Sequence, residues 1–337
     1  MPEKRVLGHL DSFLRVLLRF VSMNERMKSV CFFLFLCAAL PAHALLPPNV
    51  TEPKILIESK YEIKEEPNWI AHWNIRWFPG HHPVRQTKDT QKEQIRAVKR
   101  LLKKWNPDIF FACEVRNLES LKRLKLDYPY LACTDIPRTE DENPDLPQQG
   151  LAVMSRVPWK EVWVLDFSEL PLTPDRPSRG ILAAAFQISE QKTLVCYQVH
   201  LKSNRGGVEA TRIRRERAID YIKWDWDRKG LNPTTDPIIV LGDFNTSPLD
   251  PAFSEDETLS KLESLGFSNA AAGLPKETRI TLPGGRFPPN DFDHIYLSSY
   301  LKGLRAGIET DRLVIHRVDR EVSDHYPIFF KWAGFFD

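Results

Sequence analysis

Ile238-Ile239-Val240-Leu241-Gly242-Asp243-Phe244-Asn245 is the stretch on which the reading of this chain turns. Its first four residues, following Pro237, form an apolar run of the kind that makes a strand buried on both faces. That run passes directly into a glycine and a carboxylate. A desolvated carboxylate needs a cation or hydrogen-bond partners, so Asp243 is costly to place there without a use. The same juxtaposition recurs along the chain. Ile109-Phe110-Phe111-Ala112-Cys113 ends at Glu114, and the strand-like run 194–200 ends at His200. Asn245 follows Asp243, Asp293 opens the run 292–297, and Asp324-His325 stands just before the apolar run 328–332. One such residue is ordinarily a cap or half of a buried ion pair. Such positions recurring along the chain, all beside strand ends, point instead to one rim of a sheet where a scaffold presents catalytic groups. An oxygen-rich set of carboxylates and amides suits Mg²⁺ or Mn²⁺, which keep waters and take few protein ligands.

Around these runs the chain alternates between strands and helices. Trp69-Ile70-Ala71-His72-Trp73-Asn74 is strand-like, as are 151–154 and 181–187. A helix is expected over 91–105, capped by Thr90, with Ile95, Val98, Leu102 and Trp105 on one stripe. A second helix is expected over 209–227, and Leu259, Leu262 and Leu265 mark another helical face. Some strands are separated by hairpin-length loops and others by helices, which predicts an α/β (α+β) fold with mixed rather than purely parallel sheets. Residues 45–66 read as a Pro- and charge-rich linker, and no composition break divides 67–337, so one catalytic-size domain is expected there.

The 337 residues are 42% hydrophobic and 27% charged, which excludes a disordered chain. Proline (26) exceeds glycine (15) with no repeat period, which excludes collagen-like and solenoid architectures. The net charge of +2 carries no message about partners. Residues 1–44 hold six basic and three acidic side chains, leaving 41 basic against 42 acidic in the remainder. Any attraction for phosphate must come from local patches.

Met27-Lys28-Ser29 is followed by 11 apolar residues, 30–40, and then by Pro41-Ala42-His43-Ala44. A positive start, a short apolar run and a small-x-small ending make 27–44 a secretory signal peptide cleaved near Ala44. The run is too short to serve as a stable membrane anchor. Residues 1–26 read as an upstream extension, and the expected location is secreted or periplasmic. Beyond the signal, Cys113, Cys133 and Cys196 form an odd set that excludes a disulfide scaffold and reads as small buried hydrophobes on strands.

Seven blocks in order carry a resemblance. They are Trp73-Asn74-Ile75-Arg76-Trp77, Ala112-Cys113-Glu114-Val115, Gln149-Gly150-Leu151-Ala152, Val199-His200-Leu201-Lys202-Ser203, Leu241-Gly242-Asp243-Phe244-Asn245, Phe292-Asp293-His294-Ile295 and Ser323-Asp324-His325-Tyr326-Pro327. Over about 67–335 the chain resembles the endonuclease/exonuclease/phosphatase superfamily, the fold of pancreatic-type deoxyribonuclease. The resemblance implies a four-layer sandwich, two mixed β-sheets face to face with helices outside. It implies that Glu114 is the principal metal ligand, with Asn74 beside it and Asp324 on the metal side. Asp243 and Asn245 would position the attacking water and a phosphate oxygen. His325 would act as base or transition-state donor with Asp293 fixing its tautomer, and His200 would serve the leaving oxygen. Gln149 stands where a glutamate would partner His200, and Arg179 resembles an arginine near the scissile phosphate. Phosphodiester hydrolysis independently calls for such groups, and an imidazole with an ordinary pKa of ~6.5 is suited to proton transfer.

Lys202 and Arg205 follow His200 in a loop and are expected to contact phosphate, with nucleic acid the leading partner. Arg212, Arg214, Arg215 and Arg217 read as a solvated helix face balanced by Glu209 and Glu216. Arg279 and Arg286 lie in the loop 274–290 before Asp293. His81-His82 lacks the spaced partners of a zinc site, and His294, beside Asp293 on a strand, is expected to face away from the site. The leading expectation is a secreted, metal-dependent nuclease. A phosphatase or lipid phosphodiesterase (sphingomyelinase-like) using the same site, and a catalytically silent binding protein of the same fold, are the alternatives. The aromatic hairpin that a sphingomyelinase would need has only Trp224 and Trp226 as candidates, and their helical spacing reads as packing.

Overall fold

The computed structural model describes residues 45–57, 69–136, 149–188, 192–285, 288–304 and 312–332. The expected extension 1–26, the signal peptide 27–44, most of the lead-in beyond residue 57 and Arg286 lie outside these residues. The chain divides into Met1–Pro47 and Pro48–Asp337, and the fold below is that of the second unit.

Two seven-stranded sheets make the body of the protein. The first runs β13 (Leu313–Ile315), β14 (Ile328–Lys331), β3 (Trp69–Phe78), β4 (Ile109–Val115), β6 (Gly150–Ser155), β5 (Tyr130–Cys133) and β2 (Lys54–Ile57). The second runs β1 (Asn49–Thr51), β7 (Trp159–Asp166), β8 (Ile181–Gln187), β9 (Thr193–His200), β10 (Ile238–Asp243), β12 (Asp293–Ser298) and β11 (Phe267–Asn269). Each sheet is mixed, as expected, with one parallel pair: β3 with β4, and β9 with β10. A parallel pair needs a crossover, and the two long helices supply them. These are α1 (Lys88–Trp105) between β3 and β4, and α3 (Val208–Lys229) between β9 and β10. Three short helices, α2 (Leu118–Lys122), α4 (Thr258–Ser264) and α5 (Ser299–Leu304), complete the described set.

Strand alternation builds the layers. Ile70, Ile109 and Phe111 from the first sheet meet Leu182, Ala184, Cys196, Ile239, Leu241 and Ile295 from the second in one buried cluster. The opposite face of the first sheet (Ala71, Trp73, Phe110) receives Ile95, Val98 and Leu102 of α1. On the far side of the second sheet, Asp225 of α3 accepts from Trp163 Nε1 (2.8 Å) and from the Tyr197 hydroxyl (2.9 Å), while Trp226 stacks on Phe267. Four layers follow, helix, sheet, sheet, helix, and Trp226 is a packing residue. Cys113, Cys133 and Cys196 are buried free thiols.

Two sequence expectations need correction. Part of the lead-in is sheet: β1 pairs with β7 and β2 with β5, each as an edge strand. Edge strands are short, charged and tolerant of proline, so Glu52-Pro53-Lys54 between them reads as linker in sequence. Helix α1 also starts a turn earlier than expected. Thr87 is the cap, accepting from the Thr90 amide, while Thr90 answers from inside the first turn in a capping box.

Candidate active site

The inner faces of both sheets turn polar at the same end. Along β3, Ile70 is followed on the same face by His72 and Asn74; along β9, Cys196 is followed by Gln198 and His200. β10 runs Ile239, Leu241, Asp243, and the antiparallel β12 begins with Asp293 before Ile295 and Leu297. Register then does the assembly. Asp243 lies opposite His200 on one side and opposite Asp293 on the other. The strands approach so closely here that a Cβ on Gly242 (φ +146°) would sit 2.0 Å from the Val199 carbonyl oxygen, and only glycine fits.

Glu114 reaches this rim by a different route. Simple alternation along β4 would send it to the outer face, since Cys113 already points inward. Instead Glu114 is left-handed (φ +62°) at a register shift between Ala112 and Val115, which re-aims the side chain. β3 carries a matching irregularity between Asn74 and Phe78, where Arg76 and Trp77 are also left-handed. The two irregular segments lock together. The Trp77 amide donates to Glu114 Oε2 (3.0 Å) and Asn74 Nδ2 donates to Glu114 Oε1 (3.3 Å).

Asn74 Nδ2 also donates to Asp243 Oδ2 at 3.0 Å, and its carbonyl accepts from the Arg76 amide. The amide therefore ties two carboxylates together and keeps one carbonyl lone pair for water or a cation. Burial, and then the facing charge of Asp324, push Glu114 above the usual carboxylate range. Such repulsion is what a bound cation relieves, so the oxygen donors Glu114, Asp324 and Asn74 fit a hard divalent ion. Asp324 sits at the mouth, 3.8 Å from Arg76 Nε. Ligand atoms of Asp243, Asp293 and His325 lie within 4.8 Å of one another, a second place with cation-compatible spacing.

His325 precedes β14 and is held from three sides. Its amide donates to Ser323 Oγ, its carbonyl accepts from Trp73 Nε1 (2.9 Å), and its Nδ1 donates to Asp293 Oδ2 at 2.7 Å. Its Nε2 faces Asp243 Oδ2 at 3.9 Å. Burial works against its charge, but the carboxylates of Asp293 and Asp243 outweigh it and hold the imidazole well above its ordinary pKa. Burial likewise works against an ionised Asp293, and His325 reverses this, taking the carboxyl far below its ordinary range. His200 behaves in the opposite way. Its Nε2 lies 3.6 Å from Asp243 Oδ2 and 3.9 Å from Glu114 Oε1, yet burial, then Arg179 and His325, hold it well below its ordinary value. Burial thus favours the neutral imidazole of His200, which suits donating a hydrogen bond better than delivering a proton.

The expected role of Gln149 also changes. Its Oε1 accepts from Arg179 Nη2 (2.9 Å), and His200 Nδ1 is buried with no partner among the described residues. An amide offers an arginine a good acceptor, so Gln149 orients Arg179 rather than His200. Arg179 Nη1 donates to the Leu201 carbonyl (2.8 Å), which places the guanidinium beside the site rather than on the outer surface. Asn245, left-handed at φ +52°, donates from Nδ2 to the Leu201 carbonyl (3.1 Å) and accepts at its own carbonyl from Asn204. It stitches the loops after β9 and β10 together. Lys202 is half-buried and Arg205 exposed in that loop.

Among the arginines, Arg212 pairs with Glu209 and Glu216 as expected, but Arg215 does not lie on a solvated face. It is fully buried, bonded to Asp256 and to the Lys202 carbonyl (2.9 Å), so it braces the loop that follows His200. Arg279 binds Asp291. His82 Nδ1 accepts from two turn amides, and His294 is bound to the Thr246 carbonyl and Asn269, away from the site. Sequence reasoning missed His72, whose Nε2 meets Asp293 Oδ1 at 3.1 Å. Its signal was present, because a residue two places before Asn74 on a strand shares its face.

A family model described as "Endonuclease/Exonuclease/phosphatase family" matches residues 71–325. No curated protein matches the chain. Among solved structures, humanized D. rerio TDP2 carrying 14 mutations is similar with a TM-score of 0.54 at 17% identity, over 79% of this chain and 99% of that one. D. rerio TDP2 complexed with single strand DNA product gives 0.53 at 17%, over 79% and 99%. An endonuclease/exonuclease/phosphatase family protein from Leptotrichia buccalis C-1013-b gives 0.51 at 16%, over 78% and 98%. At these identities the likeness is one of fold.

Proposed function

The chain belongs to the endonuclease/exonuclease/phosphatase family, and from that premise we propose that it is a divalent-metal-dependent phosphodiesterase acting on nucleic acid. The observation that carries this reading is the pairing of unlike groups across Asp243. On one side stand Glu114 and Asp324, carboxylates crowded enough to want a cation; on the other stands the charged imidazole of His325, held by Asp293. A Mg²⁺ or Mn²⁺ ion held by Glu114, with Asp324 and Asn74, would neutralise charge on the phosphoryl oxygens. Asp243, raised by burial and hydrogen-bonded on Oδ1 by the Asn245 amide, takes the proton of the attacking water through Oδ2. His325 donates to a phosphoryl oxygen as the charge develops, and neutral His200 offers Nε2–H to the leaving oxygen.

Nucleic acid is favoured over other phosphate esters by Arg179, Lys202 and Arg205, which border the row, and by the TDP2 neighbour complexed with single strand DNA product. The stretch 27–44 supports export to the periplasm or the medium, which N-terminal sequencing of secreted protein beginning at or after Leu45 would bear out. The central test is incubation with supercoiled plasmid and Mg²⁺, with EDTA and Asp243→Ala as controls. Metal-dependent nicking that the variant lacks is the expected result. Absence of nicking by protein that binds Mg²⁺ would move the substrate to a phosphomonoester or lipid head group. Replacing Lys202 and Arg205 together by alanine should lower the salt slope of DNA binding by about 2.

A further inference from the structure

The Asp293 carboxylate is gripped at both oxygens, and only one of the two histidines that grip it has a part in the chemistry above. Oδ2 accepts from His325 Nδ1 at 2.7 Å; Oδ1 faces His72 Nε2 at 3.1 Å. His72 is fully buried on β3, in the first sheet, whereas Asp293 begins β12, in the second. This contact therefore joins the two sheets at the row where their inner faces turn from apolar to polar. The ring sits against Cys113, whose Sγ is 4.0 Å from Nε2, and its Nδ1 has no partner among the described residues. A carboxylate can only accept, so Nε2 carries a proton toward Oδ1, and Nδ1 is left as a buried polar atom without a partner among the described residues. A leucine would fill the same slot without that penalty, as Ile70 does one step back on the same face.

We propose that His72 is a positioning residue: it fixes the rotation of the Asp293 carboxylate, and so holds the His325 ring with Nε2 aimed at the reacting phosphoryl group. The terminal torsion of an aspartate is broad, and a carboxylate gripped at one oxygen can swing about it. Gripped at both, it presents Oδ2 in one direction. The Asp293 amide is fixed independently by Thr281 Oγ1 at 3.0 Å, so backbone and carboxylate are both anchored. The consequence for turnover rests on the phosphodiesterase reading above; the positioning itself does not.

The test pairs His72→Leu with His72→Gln, which keeps a side-chain N–H near the Nε2 position, in the full chain. Two readouts are followed. The first is kcat and KM on bis(p-nitrophenyl) phosphate with Mg²⁺ or Mn²⁺. The second is the hydrogen-bonded Nδ1–H proton resonance of His325, assigned by its loss in His325→Gln and recorded without metal. His72→Leu should lower kcat by about 10²-fold with KM unchanged, and should broaden the His325 resonance through exchange with water. His72→Gln should recover most of both. Should the leucine variant not fold, His72→Asn, whose amide is too short to reach Asp293, takes its place with the same expectation. An unchanged resonance and unchanged kcat in a folded leucine or asparagine variant overturns the proposal, as does a loss that appears in KM alone. If the resonance responds as expected while wild-type protein hydrolyses no phosphodiester, the positioning stands and the reading of function falls.

Discussion

Asp243 and Asp293 face each other as register partners across β10 and β12, yet their surroundings drive them in opposite directions. Burial raises Asp243, which has only partial compensation from Asn74, the Asn245 amide and a more distant His325. Asp293 is equally buried but accepts from two imidazoles, and it is held below the ordinary range. Pairs of titratable groups whose environments push them apart mark acid and base assignments. Here they separate a carboxylate that can take a proton from one that serves as a permanent counter-charge.

Asp243→Asn should therefore lose activity without losing stability. An amide can still accept from the Asn245 amide but cannot take a proton, and turnover should fall by about 10³-fold or more. Ionised Asp243 is disfavoured in the folded state, but the amide sets its own donor against Asn74 Nδ2, so the two effects offset and the variant should have a Tm in EDTA close to that of the parent. Thermal unfolding and plasmid nicking on the same preparation check both halves, and a large drop in Tm would reassign Asp243 to the framework.

The His325–Asp293 pair sets a pH dependence of stability. His325 is raised above its unfolded value of ~6.5, so its contribution is complete below about pH 6.5 and is lost as pH rises through its folded value. Asp293 is depressed, so its contribution is present above about pH 3.9 and is lost as pH falls through its folded value. Both are complete between those limits. His200, held neutral, works against stability as pH falls below about 6.5, and the buried thiols of Cys113, Cys133 and Cys196, raised by burial, work against it above about pH 8.5, so the range between about pH 6.5 and about pH 8 isolates His325. Stability in EDTA should decline across that range by up to about 1.4 kcal/mol per pH unit, and His325→Gln should flatten that decline. Parallel slopes in the two proteins would contradict the charged state assigned to His325.

Much of this site was legible because strand alternation and burial leave a plain signature: Glu114, His200, Asp243 and Asp293 each interrupt or end an apolar run. What stayed hidden depends on partners distant in sequence. His72 looks like one more residue of an aromatic strand until Asp293, 221 positions away, is brought against it. Gln149 shifts from His200 to Arg179 because loop geometry, which has no period, decides which donor it meets. β1 and β2 are indistinguishable from a linker because an edge strand needs only one neighbour and can be as short as three residues. Arg215 shares its helix with solvated arginines, and nothing in a charge pattern says which of them points inward.

Arg215 is the framework residue whose loss should matter most. Its guanidinium is fully buried against Asp256 and holds the Lys202 carbonyl, linking α3 to the loop that carries the proposed phosphate contacts. Removing one partner of a buried pair strands the other charge, so Arg215→Ala should cost about 3–5 kcal/mol. Arg212→Ala, on the exposed side of the same helix, should cost far less, because its pairs with Glu209 and Glu216 are screened by solvent. Denaturant unfolding of the two variants decides this, and equal costs would mean that the loop is braced elsewhere.

Metal binding should be visible in stability before any substrate is added. Glu114 is raised by burial and by Asp324, so the pair is under repulsion that a cation relieves. Mg²⁺ or Mn²⁺ at a hundredfold over its Kd should stabilise the wild-type protein by about 2.7 kcal/mol, and EDTA should reverse the gain. Glu114→Gln removes the proposed main ligand together with the repulsion. Its amide keeps one acceptor and sets a donor against either the Trp77 amide or Asn74 Nδ2, which offsets the relieved repulsion, so its stability in EDTA should stay close to wild type and gain nothing from the ion. Asp324→Asn relieves the repulsion but leaves the Glu114 carboxylate in place, so it should keep a reduced gain at higher ion concentration. The two variants also distinguish this position from the neighbouring Asp243, Asp293 and His325 group, where a cation would stabilise Glu114→Gln undiminished. That outcome would move the ion across Asp243, and Glu114 would then serve the Trp77 amide and Asn74 rather than a metal.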